Sequence, residues 1–451
     1  MGNYSFRSML KKYTSASTLL ISAAIIALIC ANNELTREWY FNLLKTPVNV
    51  SIGEFNLFSH NGHCMTLIQV INDFLMVIFF LAVGLEIKRE ILVGELSSPK
   101  KALLPIIGAC GGMIVPVLLF WLLCPADADM QRGMAIPMAT DIAFSLGVLA
   151  IFSKRVPLGL KVFLAALAVA DDLGGIIVIA LFYTSDIHVG FLLLSALCTV
   201  IMVAGNRLNV HNKNFYIIIG FVLWYTMLNS GIHATIAGVI TAFCVPASLK
   251  RGGGYYFERI CNNIKEVKIV DCSKHSAVIL SHYEIQKLKS IESAADKLIS
   301  PLQTLEDMLQ RLIGYVIIPL FAFANVGIDF SAMNLDSIVS GVGIPVMSGL
   351  VIGKFVGVLL FSWLAVRIGV VVLPQGANWK SFIGICALCG IGLTVSIFIA
   401  DLSYAGIGEK GYALLSQAKL GVLCGSLISA TVGCILLNRF LPRTSHTQET
   451  V

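Results

Sequence analysis

Long apolar stretches recur along almost the whole chain and constrain its fold more than any other feature. Of its 451 residues, 57% are hydrophobic and only 13% are charged, whereas about 25% are charged in a typical soluble domain. A helix needs about 20 mostly apolar residues to cross a bilayer. The sequence therefore predicts an all-α polytopic membrane protein with about twelve transmembrane helices, and it excludes a soluble enzyme or a nucleic-acid-binding protein. We number the stretches segments 1 to 12: 16–32, 62–86, 101–123, 133–152, 157–183, 188–205, 214–229, 231–247, 312–328, 337–366, 381–401 and 413–437.

The distribution of Lys and Arg predicts the orientation of these segments. If both termini are cytoplasmic, the cytoplasmic loops and ends contain 26 of the 32 basic residues, and the external loops contain four. Without the charged stretch 248–311, the ratio is still 16 to 4. Because cytoplasmic loops of membrane proteins are enriched in Lys and Arg, we expect both termini in the cytoplasm, which agrees with an even number of spans.

Two stretches between the segments are not apolar enough to span a membrane. Residues 47–58 alternate apolar and polar side chains around Gly53-Glu54, which predicts an external β-hairpin. The only long charged stretch, 248–311, is interpreted as a cytoplasmic insert and loop, partly helical near 283–311. The predicted division is residues 1–247 with segments 1–8, the insert 248–311, and residues 312–451 with segments 9–12 and a short C-terminal tail.

Charged residues inside the apolar segments indicate a functional site. Asp171 and Asp172 lie together in the middle of segment 5, and Lys354 lies in the middle of segment 10. A charge at the bilayer centre costs about 2.5 kcal/mol or more, so such groups face protein, water or an ion. Carboxylate oxygens bind hard cations, and adjacent carboxylates on a helix point about 100° apart. Lys354 can neutralise one of them permanently, and at least one carboxylate is then left to bind a cation or a proton.

Two segments contain residues that interrupt a helix near mid-membrane. In segment 4, Pro137 lacks a backbone donor, and Thr140 and Asp141 compete for backbone groups. Segment 11 contains Gly390 and Gly392. Irregular backbone at that depth is tolerated where it lines a cavity. Each interruption lies in the second segment of a triplet, segments 3–5 and 10–12, which is typical of inverted-repeat transporters. A harmless kink is the alternative for either segment alone.

Six short sequences in the apolar segments form a distinctive combination: VGLEIKRE (83–90), ATDIAF (139–144), ADDLG (170–174), LFAFAN (320–325), IGKF (352–355) and CGIGLTVSIF (389–398). Together they resemble the NhaA-type Na⁺/H⁺ antiporters over nearly the whole chain except about 250–297. The resemblance implies a bacterial inner-membrane protein with the inverted-repeat transporter fold, of which this family is itself an established example, and with discontinuous crossing helices in segments 4 and 11.

The resemblance also implies roles for individual residues. Asp172 matches the principal ligand of Na⁺ or Li⁺, and Asp171 matches the carboxylate that pairs with the lysine, here Lys354. Thr140 and Asp141 match positions beside the cation and proton site. Asp73 is expected near the cytoplasmic entrance. The positions associated with pH regulation are matched by Glu86, Arg89 and Glu90, with Glu306 as a further candidate.

The implied activity is a secondary exchange of cytoplasmic Na⁺ or Li⁺ for external H⁺, electrogenic at two H⁺ per Na⁺ and regulated by pH. The resemblance implies no enzymatic activity and no cofactor. The expected partners are the lipid bilayer, the transported ions and a second copy of the chain, bound through the 47–58 hairpin. Before segment 9 the family commonly carries two histidines, which are absent here from Glu306 to Arg311. This difference concerns the pH set-point.

Other functions are also considered. A Na⁺-coupled transporter of another substrate on the same scaffold would not obviously need two adjacent carboxylates beside one lysine. An intramembrane aspartyl protease would need two Asp that face each other from different helices, and the chain contains no Gly-x-Gly-Asp sequence. A channel would not need titratable Asp and Lys at a mid-membrane interruption.

Overall fold

A computed structural model describes residues 18–53, 55–60, 63–152, 155–182, 188–248, 252–266, 282–330, 341–405 and 407–441. The predicted C-terminal tail beyond Leu441, the middle of the insert (267–281) and Glu54 of the predicted hairpin turn lie outside these residues. The helices are Thr18–Asn32 and Glu34–Lys45 (segment 1), Leu67–Val93 (2), Pro99–Leu123 (3), Ala128–Met138 and Ile142–Ile151 (4), Leu158–Phe182 (5), Val189–Arg207 (6), Lys213–Leu228 (7), Thr235–Cys244 (8), Gly253–Glu266 and His282–Leu298 (insert), Pro301–Val326 (9), Gly343–Arg367 (10), Trp379–Leu388 and Leu393–Tyr404 (11), and Glu409–Phe440 (12).

The apolar helices occur at the twelve predicted positions and make the protein a polytopic helical membrane protein. In the described part of the chain, seven helices are long and apolar enough to cross a membrane, or ten if each of three bent pairs counts as one span. The helices of segments 7 and 8 are apolar but shorter. The number twelve therefore stays a prediction. Large apolar side chains on the outside of the bundle, such as Leu193 and Val200 of segment 6, have the exposure that a lipid-facing helix requires.

Segment 1 and the chain after it differ from the predicted boundaries. After Asn32 the chain turns by 111° into a second helix, Glu34–Lys45, which the sequence reasoning did not predict. Asn33 begins this helix, because its side chain accepts a hydrogen bond from the N–H of Leu35.

Segment 2 begins at Leu67 and not at residue 62, because two short strand pairs occupy the preceding residues. The pairs are Ser51–Ile52 with Phe55–Asn56, inside the predicted hairpin, and Ser59–His60 with His63–Cys64.

The described residues of the insert form two helices that pack against each other. Arg259 and Asn263 join them, because their side chains each donate to Ser290 Oγ at 3.1 Å. Its predicted end is wrong. Residues 301–311 belong to the segment 9 helix, because Ser300 caps that helix and Pro301 is its first residue, a position that needs no N–H donor. The N–H of Leu302 donates to the Pro246 carbonyl at 3.3 Å, so the two ends of the insert lie close together.

The two ends of the helical bundle are distinguishable, and we name them by their neighbours. The hairpin face carries the strands 51–64, which lead into the start of segment 2. The insert face carries the helices Gly253–Glu266 and His282–Leu298. Lys88, near the other end of segment 2, donates to the carbonyls of Phe243 (2.7 Å) and Val245 (2.5 Å), where segment 8 ends before the insert. Segment 2 therefore runs from the hairpin face to the insert face.

The helices pack in two groups. Segment 2 contacts both segment 8 and segment 9, and these three segments form the first bundle. Segments 3, 4, 5, 10, 11 and 12 form the second bundle, which contains both interrupted helices. Single π-helical turns interrupt segments 2, 9 and 10 at Ile71–Leu75, Ile313–Ile317 and Gly349–Lys354. Such turns are frequent at functional sites, and two of these three contain polar or charged residues that are buried.

Candidate cation-binding site

The interruptions of segments 4 and 11 meet in the middle of the second bundle. Segment 4 bends by 44° and segment 11 by 43° at their breaks. The N–H of Asp141 donates to the carbonyl of Ile391 at 2.7 Å, which joins the two extended stretches directly. A Cβ at Gly392 would lie only 3.0 Å from the Ala139 carbonyl oxygen, so this close approach of the two backbones favours a residue without a side chain.

Asp141 binds the first turns of two helices at once. Its Oδ1 accepts from the N–H of Phe144 at 2.9 Å and thereby caps its own helix, Ile142–Ile151. Its Oδ2 accepts from Thr394, from the N–H at 3.2 Å and from Oγ1 at 2.7 Å, in the first turn of Leu393–Tyr404. Asp141 is only 2% exposed. Because helix N-termini carry partial positive charge and unpaired N–H groups, this carboxylate satisfies donors of both half-helices.

Asp171 is held by partners from two other segments. Its Oδ2 is in contact with the ammonium of Lys354, and both side chains are completely buried. The same oxygen accepts a hydrogen bond from Thr140 Oγ1 at 2.7 Å. Lys354 is the last residue of the π-helical turn in segment 10. The sequence predicted that Lys354 pairs with one of the two carboxylates. In the structure, Lys354 contacts Asp171.

Asp172 lies beside this pair and faces a cavity. The cavity has a volume of about 90 Å³, and its lining includes Asp172, Thr140, Asp141 and Thr394. Within the described part of the chain, Oδ1 of Asp172 and Oδ1 of Asp171 are buried without a hydrogen-bond partner. An unsatisfied buried carboxylate oxygen is costly, so the arrangement is suited to a proton or a cation at Asp172. No group of three or more His, Cys, Asp or Glu suited to a tightly bound metal occurs among the described residues.

Glu86 connects this cavity to the insert face. It lines the 90 Å³ cavity and also a second cavity of about 330 Å³, whose lining includes Arg89, Glu90 and Lys161. Arg89 and Glu90 lie near the insert-face end of segment 2. The two cavities therefore follow one direction, from Asp172 through Glu86 to the insert face.

The four residues predicted for pH regulation come together at this entrance. Arg89 forms ion pairs with Glu306 at 2.6 Å and with Glu90 at 3.2 Å. Glu306 is only 2% exposed, although the sequence analysis placed it in the charged stretch outside the membrane segments. The expected position of Asp73 near the entrance is wrong. This residue lies in the second helical turn after the hairpin face.

Two residues of the site were not recognised from the sequence. Thr394 lies in the sequence CGIGLTVSIF (389–398), where its spacing of two residues from Gly392 is the only signal that could have identified it. Lys161 has no role in the sequence analysis, but it lies in the first turn of segment 5, only 8% exposed, and lines the second cavity. Its position at the edge of an apolar stretch gave no signal of its own.

Comparison with known proteins identifies the family. The family model for "Na⁺/H⁺ antiporter 1" matches residues 7–437. The chain belongs to this family. A relative from Phocaeicola vulgatus is 49% identical over 441 residues, which cover 98% of this chain and 97% of the relative. Relatives from Bacteroides thetaiotaomicron (49% identical, 95% of each chain) and Escherichia coli (40%, 93% of this chain and 94% of the relative) are similar too, and all three are named Na⁺/H⁺ antiporter NhaA.

Family membership decides two of the expectations from sequence. Members of the Na⁺/H⁺ antiporter 1 family are secondary transporters and not enzymes, so the expectation of no enzymatic activity is confirmed. They use the transported ions and need no cofactor, which confirms the second expectation.

We predict that Asp141→Leu lowers the thermal stability of the purified protein more than Asp172→Asn does. The first substitution leaves two buried helix N-termini without their acceptor, at about 1 kcal/mol for each cap. The second changes a carboxylate whose Oδ1 has no partner. The measurement is the unfolding temperature of both variants in the same detergent. Equal unfolding temperatures would contradict the double-cap interpretation.

Proposed function

We propose that the protein is a secondary antiporter that exports Na⁺ or Li⁺ in exchange for H⁺. The observation that carries the proposal is the free, buried Oδ1 of Asp172 in a cavity beside a carboxylate that already has a lysine partner. Family membership and the names of the relatives support the choice of ions. The alternative of another substrate on this scaffold is disfavoured, since the cavity is lined by the three carboxylates of Glu86, Asp141 and Asp172 and leaves little room for an organic anion.

Competition for Asp172 explains how exchange arises. When Asp172 is ionised, its oxygens and the neighbouring oxygens of Thr140 and Asp141 provide the hard ligands that an alkali cation needs. When Asp172 is protonated, its neutral carboxyl group no longer attracts a cation. The cation and the proton therefore exclude each other at the site. A conformational change that exposes the site to the other face converts this competition into exchange.

The insert face is assigned to the cytoplasm in this proposal. The assignment places both termini and 26 of the 32 basic residues on the cytoplasmic side of the inner membrane. The cavities at Glu86 then connect the site to the cytoplasm in this structure, and the hairpin face is external.

We also propose that the charged residues at the entrance, Glu86, Arg89, Glu90 and Glu306, adjust transport to pH. The 2.6 Å ion pair between Arg89 and Glu306 joins segment 2 to segment 9 beside the entrance cavity. Protonation of a carboxylate removes its attraction to Arg89, and the contact between the two segments then weakens. The dependence of the wild-type exchange rate on pH is the relevant measurement.

We predict that Asp172→Asn abolishes Li⁺ binding and exchange while the protein still folds. An amide has the shape of the carboxylate but not its charge. Isothermal titration with Li⁺ measures binding, and Na⁺-induced dissipation of a pH gradient in everted vesicles measures exchange. Asp307→Asn is the matched control, because Asp307 is an exposed carboxylate outside the cavity. Heat release in Asp172→Asn equal to that of the wild type would refute the assignment.

The proposed exchange is electrogenic, with two H⁺ entering for each Na⁺ that leaves. Asp172 carries one of the protons. The second is carried by Asp171 or by Lys354, which are in direct contact and share their proton equilibria. One net positive charge then moves inward in each cycle. A negative-inside potential assists Na⁺ export by about 2.3 kcal/mol per 100 mV.

We predict that the exchange rate in liposomes rises when a potassium diffusion potential, set by valinomycin, makes the solution at the cytoplasmic face of the protein negative. The control is the same liposomes with equal potassium on both sides, where no potential forms. Two outcomes discriminate: a rate that follows the potential supports the second proton carrier, and a rate indifferent to it means electroneutral exchange at one H⁺ per Na⁺.

The hairpin face is proposed as the contact of a homodimer. Strands of two residues are marginally stable by themselves, and their unpaired edges can pair with another chain. The ladder is closed at its base by a bridge between Pro47 and Thr66. These residues lie outside the membrane segments, away from Asp172.

We expect that replacing Val48–Met65 by a short Gly-Ser linker weakens the dimer and leaves exchange intact. The bridge between Pro47 and Thr66 makes the gap short enough to close without strain. Light scattering with the detergent contribution subtracted measures the mass of the complex. A dimer mass that is unchanged by the replacement would exclude the hairpin as the contact.

A further inference from the structure

The hairpin-face half of the boundary between the two bundles is closed by a polar cluster that the cation site does not use. Asn72 of segment 2 donates from Nδ2 to Asp401 Oδ2 of segment 11 at 2.7 Å. Asn325 of segment 9 donates to Asn72 Oδ1 at 2.7 Å, and Asn72 Nδ2 also lies 3.2 Å from Asn325 Oδ1. Asn72 and Asn325 belong to the first bundle and Asp401 to the second, so the bond from Asn72 to Asp401 crosses between them.

An aromatic side chain fills the space between this cluster and the cation site. Phe398 of segment 11 is completely buried. Its ring packs against Phe80 (centroid distance 5.8 Å), Phe321 (6.4 Å) and His233 (5.6 Å), all on the first bundle. A ring from one bundle thus inserts among three rings of the other and closes the path toward the hairpin face.

The two halves of this boundary differ in how much space they contain. Toward the insert face, the cavities at Asp172 and Glu86 have volumes of about 90 and 330 Å³. On the other side of Thr394, a cavity lined by Phe79 and Phe321 has a volume of only about 10 Å³. That volume is about the minimum for a single water molecule. The site is therefore open to one face and closed to the other.

We propose that Asn72, Asn325, Asp401 and Phe398 form a latch that holds the hairpin face closed, and that this latch opens in every transport cycle. An antiporter has to expose its site to each face in turn, by movement of one bundle against the other. The bond from Asn72 to Asp401 and the packing of Phe398 exist only while the bundles touch on the hairpin side. Both contacts are lost when that side opens, so they set the balance between the two states.

The latch makes a quantitative prediction about Na⁺ affinity at the two faces. The apparent affinity at a face depends on the fraction of molecules open to it. A hydrogen bond to a charged group is worth a factor of about ten or more in such an equilibrium. Asn72→Leu removes this bond without touching the cavity at Asp172. We expect the half-saturating Na⁺ concentration at the external face to fall about tenfold relative to that at the cytoplasmic face.

The experiment compares the wild type, Asn72→Leu, Asp401→Leu and the double variant in right-side-out and everted vesicles. The quantity compared is the ratio of the half-saturating Na⁺ concentrations at the two faces. If the bond between the two residues matters, the double variant shifts this ratio no further than Asn72→Leu alone. Asn206→Leu is the matched control. Its amide donates to the Cys244 carbonyl at 2.7 Å, between segments 6 and 8, away from the boundary of the two bundles. Additive shifts, or an unchanged ratio in Asn72→Leu, would overturn the latch.

A second measurement does not depend on transport. In purified protein, hydrogen–deuterium exchange of the backbone at the start of segment 2 and the end of segment 11 should be faster in Asn72→Leu than in the wild type. Asn72→Asp tests the same contact by placing a second carboxylate against Asp401, should the leucine variant fail to fold. Unchanged exchange in the variant that folds would also reject the latch.

The proposal rests on the proposed orientation in only one respect, the sign of the affinity change. If the hairpin face were cytoplasmic, the affinity would improve at the cytoplasmic face instead. The latch would then be supported and the orientation rejected. If the wild type exchanged no Na⁺ at all, the proposed function would fail, and hydrogen–deuterium exchange would still decide on the latch.

Discussion

The carboxylate of Asp141 is the interaction on which the site depends. Two helices stop in the middle of a membrane protein, where no bulk water can bind their free N–H groups, and an unsatisfied polar group there costs about 1–3 kcal/mol. Asp141 accepts hydrogen bonds from the first turns of both following half-helices. Its own N–H binds the backbone of the opposite break. One residue therefore provides the compensation that allows irregular backbone, and with it a cavity, at this depth.

The remaining charges are distributed so that one carboxylate is left without a partner. Asp171 has the ammonium of Lys354 and the hydroxyl of Thr140, and Asp141 has the helix ends. Asp172 shares neither set of partners, because the next residue on a helix points about 100° away. Burial of the other two carboxylates is thus compensated within the fold, whereas the charge of Asp172 requires a ligand from outside. This difference is the reason why, of three buried carboxylates in the same neighbourhood, we propose only Asp172 as the principal binding group.

The sequence was sufficient for the fold class, and it predicted most of the residues of the candidate site. Apolar length, charges within segments, and Pro and Gly at matching positions identified the interruptions, Asp171, Asp172 and Lys354. Three things were not accessible. The helix Glu34–Lys45 is too polar to give an apolar signal, and the boundary at Pro301 depends on a cap that looks like loop sequence. The expected position of Asp73 near the entrance came from the resemblance alone, whereas the residue lies in the second helical turn after the hairpin face.

The latch was hidden from sequence reasoning for a different reason. Asn72 and Asn325 are neutral, so no charge in an apolar segment marks them, and their meaning comes only from contacts between residues about 250 to 330 positions apart. Segment 11 supplies the connection to the site. Thr394, Phe398 and Asp401 follow one another at intervals of four and three residues and share one face of a helix. Thr394 binds Asp141, and Asp401 binds Asn72. A half-helix that touches the site at one end and the latch at the other can couple what occupies the cavity to which face is closed, because a tilt or shift of a rigid helix changes its orientation relative to both contacts.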